Sequence, residues 1–375
     1  MSSFPKRILV TGASGFVGGR LIEALRMLDK SAVGTIRHWT RAARPARIGA
    51  EVVVCDIENP DDVARAMTGV DAVVHCAYID THASIVGGTQ NMLQAAKSAG
   101  VEHFIFISSA EVYDTTTVGD ITEESPTIPV DGKDYKNWKI EAESLCREFN
   151  DSLGVTILRP SLIYGPFGAS WSIDIAKRLQ SGKWGLFEGR DGIANLVYVD
   201  DLVRLILHCL RDNRSRGQTF NSNGPNPPTW NEYFDAFNNT LGRPPLEQVS
   251  AARSGLRTKI MDAVSGVADI ILDRFEDQLM EIYLKGGFAS RVMKKIKGEL
   301  DATPTGTELN DLYQRQFVLN TDKARNMLGF ESTFDLNHGL QLTAEWLALH
   351  ELLEQPLPNH KQDASSEPQR ETVTT

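Results

Sequence analysis

The sequence predicts an α/β fold: a doubly wound parallel sheet with a smaller, mostly helical lobe in the carboxyl half. Three observations carry that prediction. Short apolar runs alternate with helical patterns through the first 160 residues, which is the signature of βαβ units. A glycine-rich turn joins the first apolar run to the first helical pattern. And 375 residues are enough to bury a large core in one or two domains.

Taken in order, residues 7–11, 32–36, 51–55, 72–75, 104–108 and 156–158 read as strands. Residues 18–28, 89–99 and 135–149 read as helices between them, with Met92, Leu93, Ala96 and Ala99 on one face. Ligand is expected at the carboxyl ends of such strands. Beyond about residue 160 the alternation loosens. Residues 171–179 and 201–210 read as helices and 195–199 as a short strand. Pro225, Pro227 and Pro228 make a rigid turn before a helix at 230–241. An amphipathic block follows at 257–300, then a last helix at 336–353. Residues 355–375, rich in Pro, Ser, Gln and Thr, are expected to be disordered.

Composition removes several function classes. Lys and Arg number 39 against 49 Asp and Glu, a formal net charge of -10, so a general nucleic-acid binder with a basic face is not expected. Cys55, Cys76, Cys146 and Cys209 are scattered through apolar runs without a metal-ligand spacing, which predicts reduced, buried thiols and no metal site. The start of the sequence lacks a signal-peptide profile, and no apolar stretch is long enough to span a bilayer, so the expected location is the cytoplasm.

In the glycine turn, Gly12, Ser14, Gly15, Phe16, Val17 and Gly18 stand between a strand and a helix. Bare backbone there lets a pyrophosphate approach, with its charge at the helix N-terminus. This predicts a Rossmann-type dinucleotide core over residues 1–160 and a substrate-binding lobe interleaved with it over 161–354. An NAD site places Asp or Glu at the end of the second strand. Here Arg37 stands in that region with Arg41 close behind, which suits a 2′-phosphate and makes NADP the preferred cofactor, with NAD as the alternative. A solvated basic loop is the plainer reading of the same residues. Asp56, past the third strand, is placed to meet an adenine amino group or to cap a turn.

Tyr135 and Lys139 lie four residues apart on one helix face. A phenol titrates near 10, too high for a base at neutral pH, and a neighbouring ammonium is expected to lower it. Ser109 emerges from the end of an apolar strand, where its hydroxyl can steady a reacting carbonyl oxygen.

Thr11 to Gly18, Asp56-Ile57, His75-Cys76-Ala77, Ser109 to Tyr113, Tyr135 with Lys139, Arg159-Pro160 with Tyr164-Gly165-Pro166, and Asn195 to Leu202 occur in one characteristic order. Together they resemble the extended short-chain dehydrogenase/reductases, the NAD-dependent epimerase/dehydratase group, over about residues 7–222 and more loosely over 317–346. The resemblance implies a catalytic triad of Ser109, Tyr135 and Lys139, with Lys139 also on the nicotinamide ribose. It implies that Asp56, Ile57, His75, Ala77 and the segment from Pro160 to Ile163 line the cofactor. A homodimer is a further implication.

Three departures bear on substrate. The family's sugar-nucleotide dehydratases carry Glu at the place of Glu111 but Asp at the place of Ala110, so dehydration is disfavoured. Glu111 remains a candidate base or sugar-hydroxyl ligand. Ile85 stands where the family commonly has asparagine, and the loop at 77–84 is short for gripping a sugar nucleotide. Tyr164, Trp171 and Asn195 are candidate substrate contacts, and Arg315 a candidate diphosphate ligand. The leading expectation is an oxidoreductase or epimerase that moves a hydride to or from a secondary alcohol or ketone carbon of a nucleotide-activated sugar. The alternatives are a hydroxysteroid-dehydrogenase-like enzyme of lipophilic alcohols and a non-catalytic NADPH-sensing binding protein. The 257–300 block reads either as a packed helical cover or as a peripheral membrane contact.

Overall fold

A computed structural model describes residues 4–132, 134–182, 184–188, 191–249 and 312–358. The predicted amphipathic block at 257–300 lies outside the described residues. In chain order the elements are β1 (Ile8–Thr11), α1 (Phe16–Met27), β2 (Ala32–Ile36), α2 (Ala43–Arg47), β3 (Glu51–Val54), α3 (Pro60–Ala66), β4 (Ala72–His75), α4 (Thr89–Ala99), β5 (His103–Ile107), β6 (Val118–Ile121), α5 (Tyr135–Glu148), α6 (Asn150–Leu153), β7 (Val155–Pro160) and β8 (Leu162–Tyr164). There follow α7 (Ile175–Gln180), β9 (Leu186–Phe187), β10 (Leu196–Tyr198), α8 (Val199–Arg211), β11 (Thr219–Ser222), α9 (Trp230–Thr240), β12 (Gln248–Val249), β13 (Gln316–Leu319), α10 (Asp322–Leu328) and α11 (Leu336–Leu349).

Seven strands form one parallel sheet in the order β11-β7-β5-β4-β1-β2-β3. The chain winds outward from β1 to β3 on one side and from β4 to β11 on the other. The switch point therefore falls between β1 and β4, where Thr11 lies opposite His75. Both faces of the sheet are covered, so its inner strands are buried at every residue rather than at alternate ones. Ile8, Val10, Val74, Ile105 and Leu158 pack on one face with Leu21 and Ile22 of α1 and with the apolar side of α8. Leu9, Val33, Val73, Phe104 and Phe106 pack on the other with Met92 and Leu93 of α4 and Ala142 and Cys146 of α5.

The chain divides into two compact units, the first comprising residues 1–168, 195–227 and 315–335. Within the second unit, an aromatic cluster centres on Trp230, whose ring lies 5.3 Å from Trp171 and 5.6 Å from Phe234. Trp184 adds an edge-on contact to Phe234 at 4.7 Å.

The predicted strands are present with ends shifted by a residue or two, and β11, β6, β8 and β13 add to them. Helix α1 begins at Phe16 rather than at residue 18, because Gly15 is already extended and serves as its N-cap. The predicted disordered tail starts too early. Leu357 is buried, and Pro358 closes on Gly242, where an added Cβ would lie 2.5 Å from its ring. Among the described residues no helix is long and apolar enough to cross a membrane, and no group of His, Cys, Asp and Glu could hold a metal ion.

Candidate active site

The turn between β1 and α1 is shaped by its glycines. Gly12 takes φ 70°, and a Cβ there would approach the Ala77 backbone to 3.1 Å. A Cβ at Gly18 would lie 2.5 Å from the Gly12 carbonyl oxygen. Helix α1 starts with no side-chain cap and no acidic residue in its first turn, so the positive end of its dipole faces the turn. Ser14, Phe16 and Val17 are part-exposed around it. This is a cradle that side chains would fill, and it fits an anionic dinucleotide.

His75 braces the cradle. Its imidazole is 2% exposed, and burial pushes it down to about 3, so it is neutral. Thr11 Oγ1 accepts from the Cys76 and Ala77 amides at 3.0 and 2.9 Å, which leaves its hydroxyl proton for His75 Nδ1 at 2.8 Å. His75 Nε2 then carries the proton towards Thr89 Oγ1 at 3.3 Å, and Thr89 donates to the Ile85 carbonyl at 2.5 Å. That sequence of donors ties the ends of β1 and β4 to the start of α4.

Arg37 and Asp56 meet at the far side of the turn, Nε to Oδ2 at 3.1 Å. The cation read as a lone 2′-phosphate partner is thus shared with a carboxylate. Ile57 is buried against Gly88, and its carbonyl accepts from Asn91 at 3.0 Å, so the protein itself occupies it. Pro160 is buried at the end of β7, and Ile163 is part-exposed in β8.

Helix α5 opens with Asp134 as its cap, accepting from the Asn137 amide at 3.1 Å. Tyr135 is its first residue and Lys139 lies one turn on, 3% exposed. Lys139 Nζ donates to the carbonyl of Ile107, the last residue of β5, at 2.8 Å. It also lies 4.8 Å from the ring centre of Phe106 and 5.0 Å from that of Tyr78. Ser109 heads the short turn Ala110–Val112, its Oγ accepting from the Glu111 amide at 3.1 Å. Ser109 favours ionisation of the Tyr135 phenol, and Tyr135 favours that of Tyr78. The Tyr78 and Tyr135 ring centres are 5.8 Å apart, and Tyr78 is 52% exposed.

The electrostatics differ from expectation. Burial raises the Tyr135 phenol well above its ordinary range; Tyr78, Glu111 and Asp80 push the same way, and Ser109 opposes them. Lys139 does not reverse this, because its ammonium points at the Ile107 carbonyl. Burial instead brings Lys139 itself down to about 8. The phenol is therefore held protonated.

Glu111 is ion-paired to Arg315, Nη1 to Oε1 at 2.6 Å. The candidate base and the candidate diphosphate ligand occupy each other. Behind them, Arg159 pairs with buried Glu143 at 2.6 Å and donates to Tyr113 Oη at 2.8 Å, while Ser108 donates to Glu143 at 2.6 Å. This buried network fixes the strand ends that carry Ser109.

Two of the three expected substrate contacts are buried and engaged with other protein groups. Asn195 is buried; its Nδ2 donates to the Phe317 carbonyl at 2.9 Å, and its Oδ1 accepts from the Leu319 amide and Asn223 Nδ2, each at 2.8 Å. Tyr164 is 2% exposed, packed edge-on against Tyr198 at 5.5 Å. Trp171 belongs to the aromatic cluster of the second unit, and its carbonyl accepts from Tyr233 at 2.7 Å. Tyr78 is the site residue that sequence reading missed: it is a lone aromatic on a loop and belongs to no motif.

A sequence profile of the NAD dependent epimerase/dehydratase family matches residues 8–222. The chain belongs to that family. It is an extended short-chain dehydrogenase/reductase, as its motifs imply. It is similar to UDP-glucose 4-epimerase of Vibrio cholerae, 32% identical over 58% of this chain and 70% of that protein. It is also similar to 3 beta-hydroxysteroid dehydrogenase/Delta 5-->4-isomerase of Mycobacterium tuberculosis, 28% identical over 59% of this chain and 65% of that one. The chain thus spans about two thirds of the length of these relatives. Among solved structures, UDP-glucuronic acid 4-epimerase from Bacillus cereus in complex with NAD matches with a TM-score of 0.67 and 19% identity, over 93% of this chain and 99% of that one. The likeness is one of fold.

Proposed function

We propose that this protein moves a hydride between a nicotinamide dinucleotide and a secondary alcohol or ketone carbon, with a nucleotide-activated sugar as substrate. The observation that carries the proposal is the grouping of Tyr135 with Tyr78 around the buried Lys139 ammonium, next to Ser109, at the same sheet edge as the uncapped glycine turn. The dinucleotide would supply or accept the hydride. Gly12, Ser14, Gly15, Phe16, Val17 and Gly18 would hold its phosphates, Ala77 and Ile163 would lie along it, and Lys139 would reach the ribose hydroxyls.

Tyr135 carries the proton. Its raised phenol suits it to protonate a carbonyl oxygen as that oxygen gains charge, and Ser109 steadies the same oxygen. In the opposite direction Tyr135 must first lose its proton to solvent, and its phenolate then receives the alcohol proton. NADP is the preferred cofactor in this proposal, because the end of β2 offers Arg37 and no carboxylate of its own; Arg37→Ala should then weaken NADPH and spare NADH.

Tyr135→Phe tests the assignment. Turnover should fall at least about a hundredfold while dinucleotide affinity stays within about twofold. Unchanged turnover would reject Tyr135, and a protein that only senses NADPH would behave that way.

A second reading, oxidation of a lipophilic secondary alcohol, has its own support in the hydroxysteroid-dehydrogenase relative and the short loop at 77–84. Assaying UDP-glucose and a 3β-hydroxysteroid side by side separates the two. The homodimer goes with the leading reading and is read by sedimentation.

A further inference from the structure

We propose that Arg44 is a ligand for the pyrophosphate of the bound dinucleotide and that Phe167 holds it in place over the glycine turn. The proposal rests on the dinucleotide reading above and concerns residues of the first unit only.

Arg44 lies in α2, outside every motif of the sequence, yet its guanidinium reaches the first turn of α1. Nη1 donates to the Gly15 carbonyl at 2.8 Å, and Nε to Glu23 at 2.8 Å. The third nitrogen, Nη2, is buried and makes no hydrogen bond. A buried, always-charged donor left open calls for a partner, and a phosphate oxygen would supply one. The close approach is built in. A Cβ at Gly19 would come within 2.7 Å of the guanidinium carbon, so glycine at that position makes room for Arg44.

Phe167 supplies the second half. Its ring centre lies 3.7 Å from the guanidinium carbon, and the residue takes φ 70°, a left-handed conformation that is strained for a non-glycine residue. Strain of this kind persists where it serves a ligand site. With Nε on Glu23, Nη1 on the Gly15 carbonyl and the ring stacked on its face, the guanidinium has Nη2 left for an anion that enters the turn.

The placement names the phosphate. Arg44 touches Gly15 and would touch a side chain at Gly19, both on the first turn of α1, where a pyrophosphate sits. At the end of β2, where a 2′-phosphate would lie, the cation is Arg37, paired with Asp56. Arg44 should therefore act equally on NAD⁺ and NADP⁺, whereas Arg37 should separate them.

The test is calorimetric titration of the full chain and its variants with NAD⁺, NADP⁺, ADP-ribose and adenosine. For Arg44→Met, the expected result is about a tenfold loss for each of the three phosphate-bearing ligands, a flatter salt dependence and unchanged adenosine binding. Phe167→Leu should lose about threefold on the same three ligands, since the cation stays but is no longer clamped. Loss confined to NADP⁺, equal loss of adenosine, or no change would each overturn the proposal. If thermal melting shows that Arg44→Met does not fold, Arg44→Lys gives the same reading: it keeps a charge near Glu23 but lacks the fork, so about threefold weaker phosphate binding supports the proposal and unchanged binding overturns it. Should the unmutated protein bind adenosine but none of the three phosphate-bearing ligands, this inference falls with the dinucleotide reading; binding of all three with unaltered variants removes this inference alone.

Discussion

Arg315, just before β13, closes on Glu111 at 2.6 Å although the two residues are 204 positions apart. Glu111 is one of the groups that push the Tyr135 phenol upward, and Arg315 is the cation against it. Removing that cation exposes the phenol to the full carboxylate charge. Arg315→Gln should shift the pH-rate profile for alcohol oxidation upward by roughly one unit, and adding Glu111→Gln should bring most of the shift back. A profile that does not move in Arg315→Gln would show that the pair has no hold on Tyr135.

Lys139 lowers stability to serve its site. Its folded value of about 8 lies below the ordinary 10.5, so between those values the folded state binds fewer protons than the unfolded one. Stability therefore rises as pH climbs through that window, and below about pH 8 the burial penalty is present in full. Against this stands one hydrogen bond to Ile107, of about 1 kcal/mol. Lys139→Met should then be more stable at neutral pH by on the order of 1–3 kcal/mol in urea unfolding, while losing turnover. Equal or lower stability would contradict this.

His75 and His103 are both buried and neutral, each lowered to about 3, chiefly by desolvation. The unfolded chain takes up protons at these histidines below about pH 6.5 and the folded chain does not. Stability should fall as pH drops through that range, with each histidine adding up to about 1.4 kcal/mol per pH unit. Denaturant titrations between about pH 7 and pH 5, with His103→Gln for comparison, check the sign: the variant should lose less stability on acidification.

Asn195 is predicted to be a stability residue. Its three hydrogen bonds join the loop before β10 to Phe317 and Leu319 of β13 and to Asn223 just after β11. Asn195→Ala should cost about 2–4 kcal/mol and leave substrate KM unchanged. A raised KM with unchanged stability would restore the substrate role that the sequence suggested.

How far the sequence reaches depends on whether its signals are local. The β1–α1 turn, the buried strands and the Tyr135/Lys139 spacing are short-range patterns, and all three are found where the pattern puts them. Strand β6 is exposed at Val118, Gly119 and Asp120 and takes its partner β13 from far along the chain, so it carries no alternation to read. Asn195 looked like a ligand because a polar residue in a conspicuous motif has no local sign of a distant backbone partner. The Tyr135 shift failed in sign, since burial outweighs a lysine whose ammonium is turned towards Ile107. Tyr78 was invisible, because only the fold sets it against Tyr135.

The most direct measurement is a titration of the purified protein with NAD⁺, NADH, NADP⁺ and NADPH, repeated in the presence of UDP-, GDP- and dTDP-sugars. The account predicts tight dinucleotide binding, strongest for NADPH, that one sugar nucleotide strengthens. Dinucleotide binding indifferent to every sugar nucleotide would contradict the substrate assignment and favour a lipophilic alcohol, and no dinucleotide binding at all would contradict the central claim.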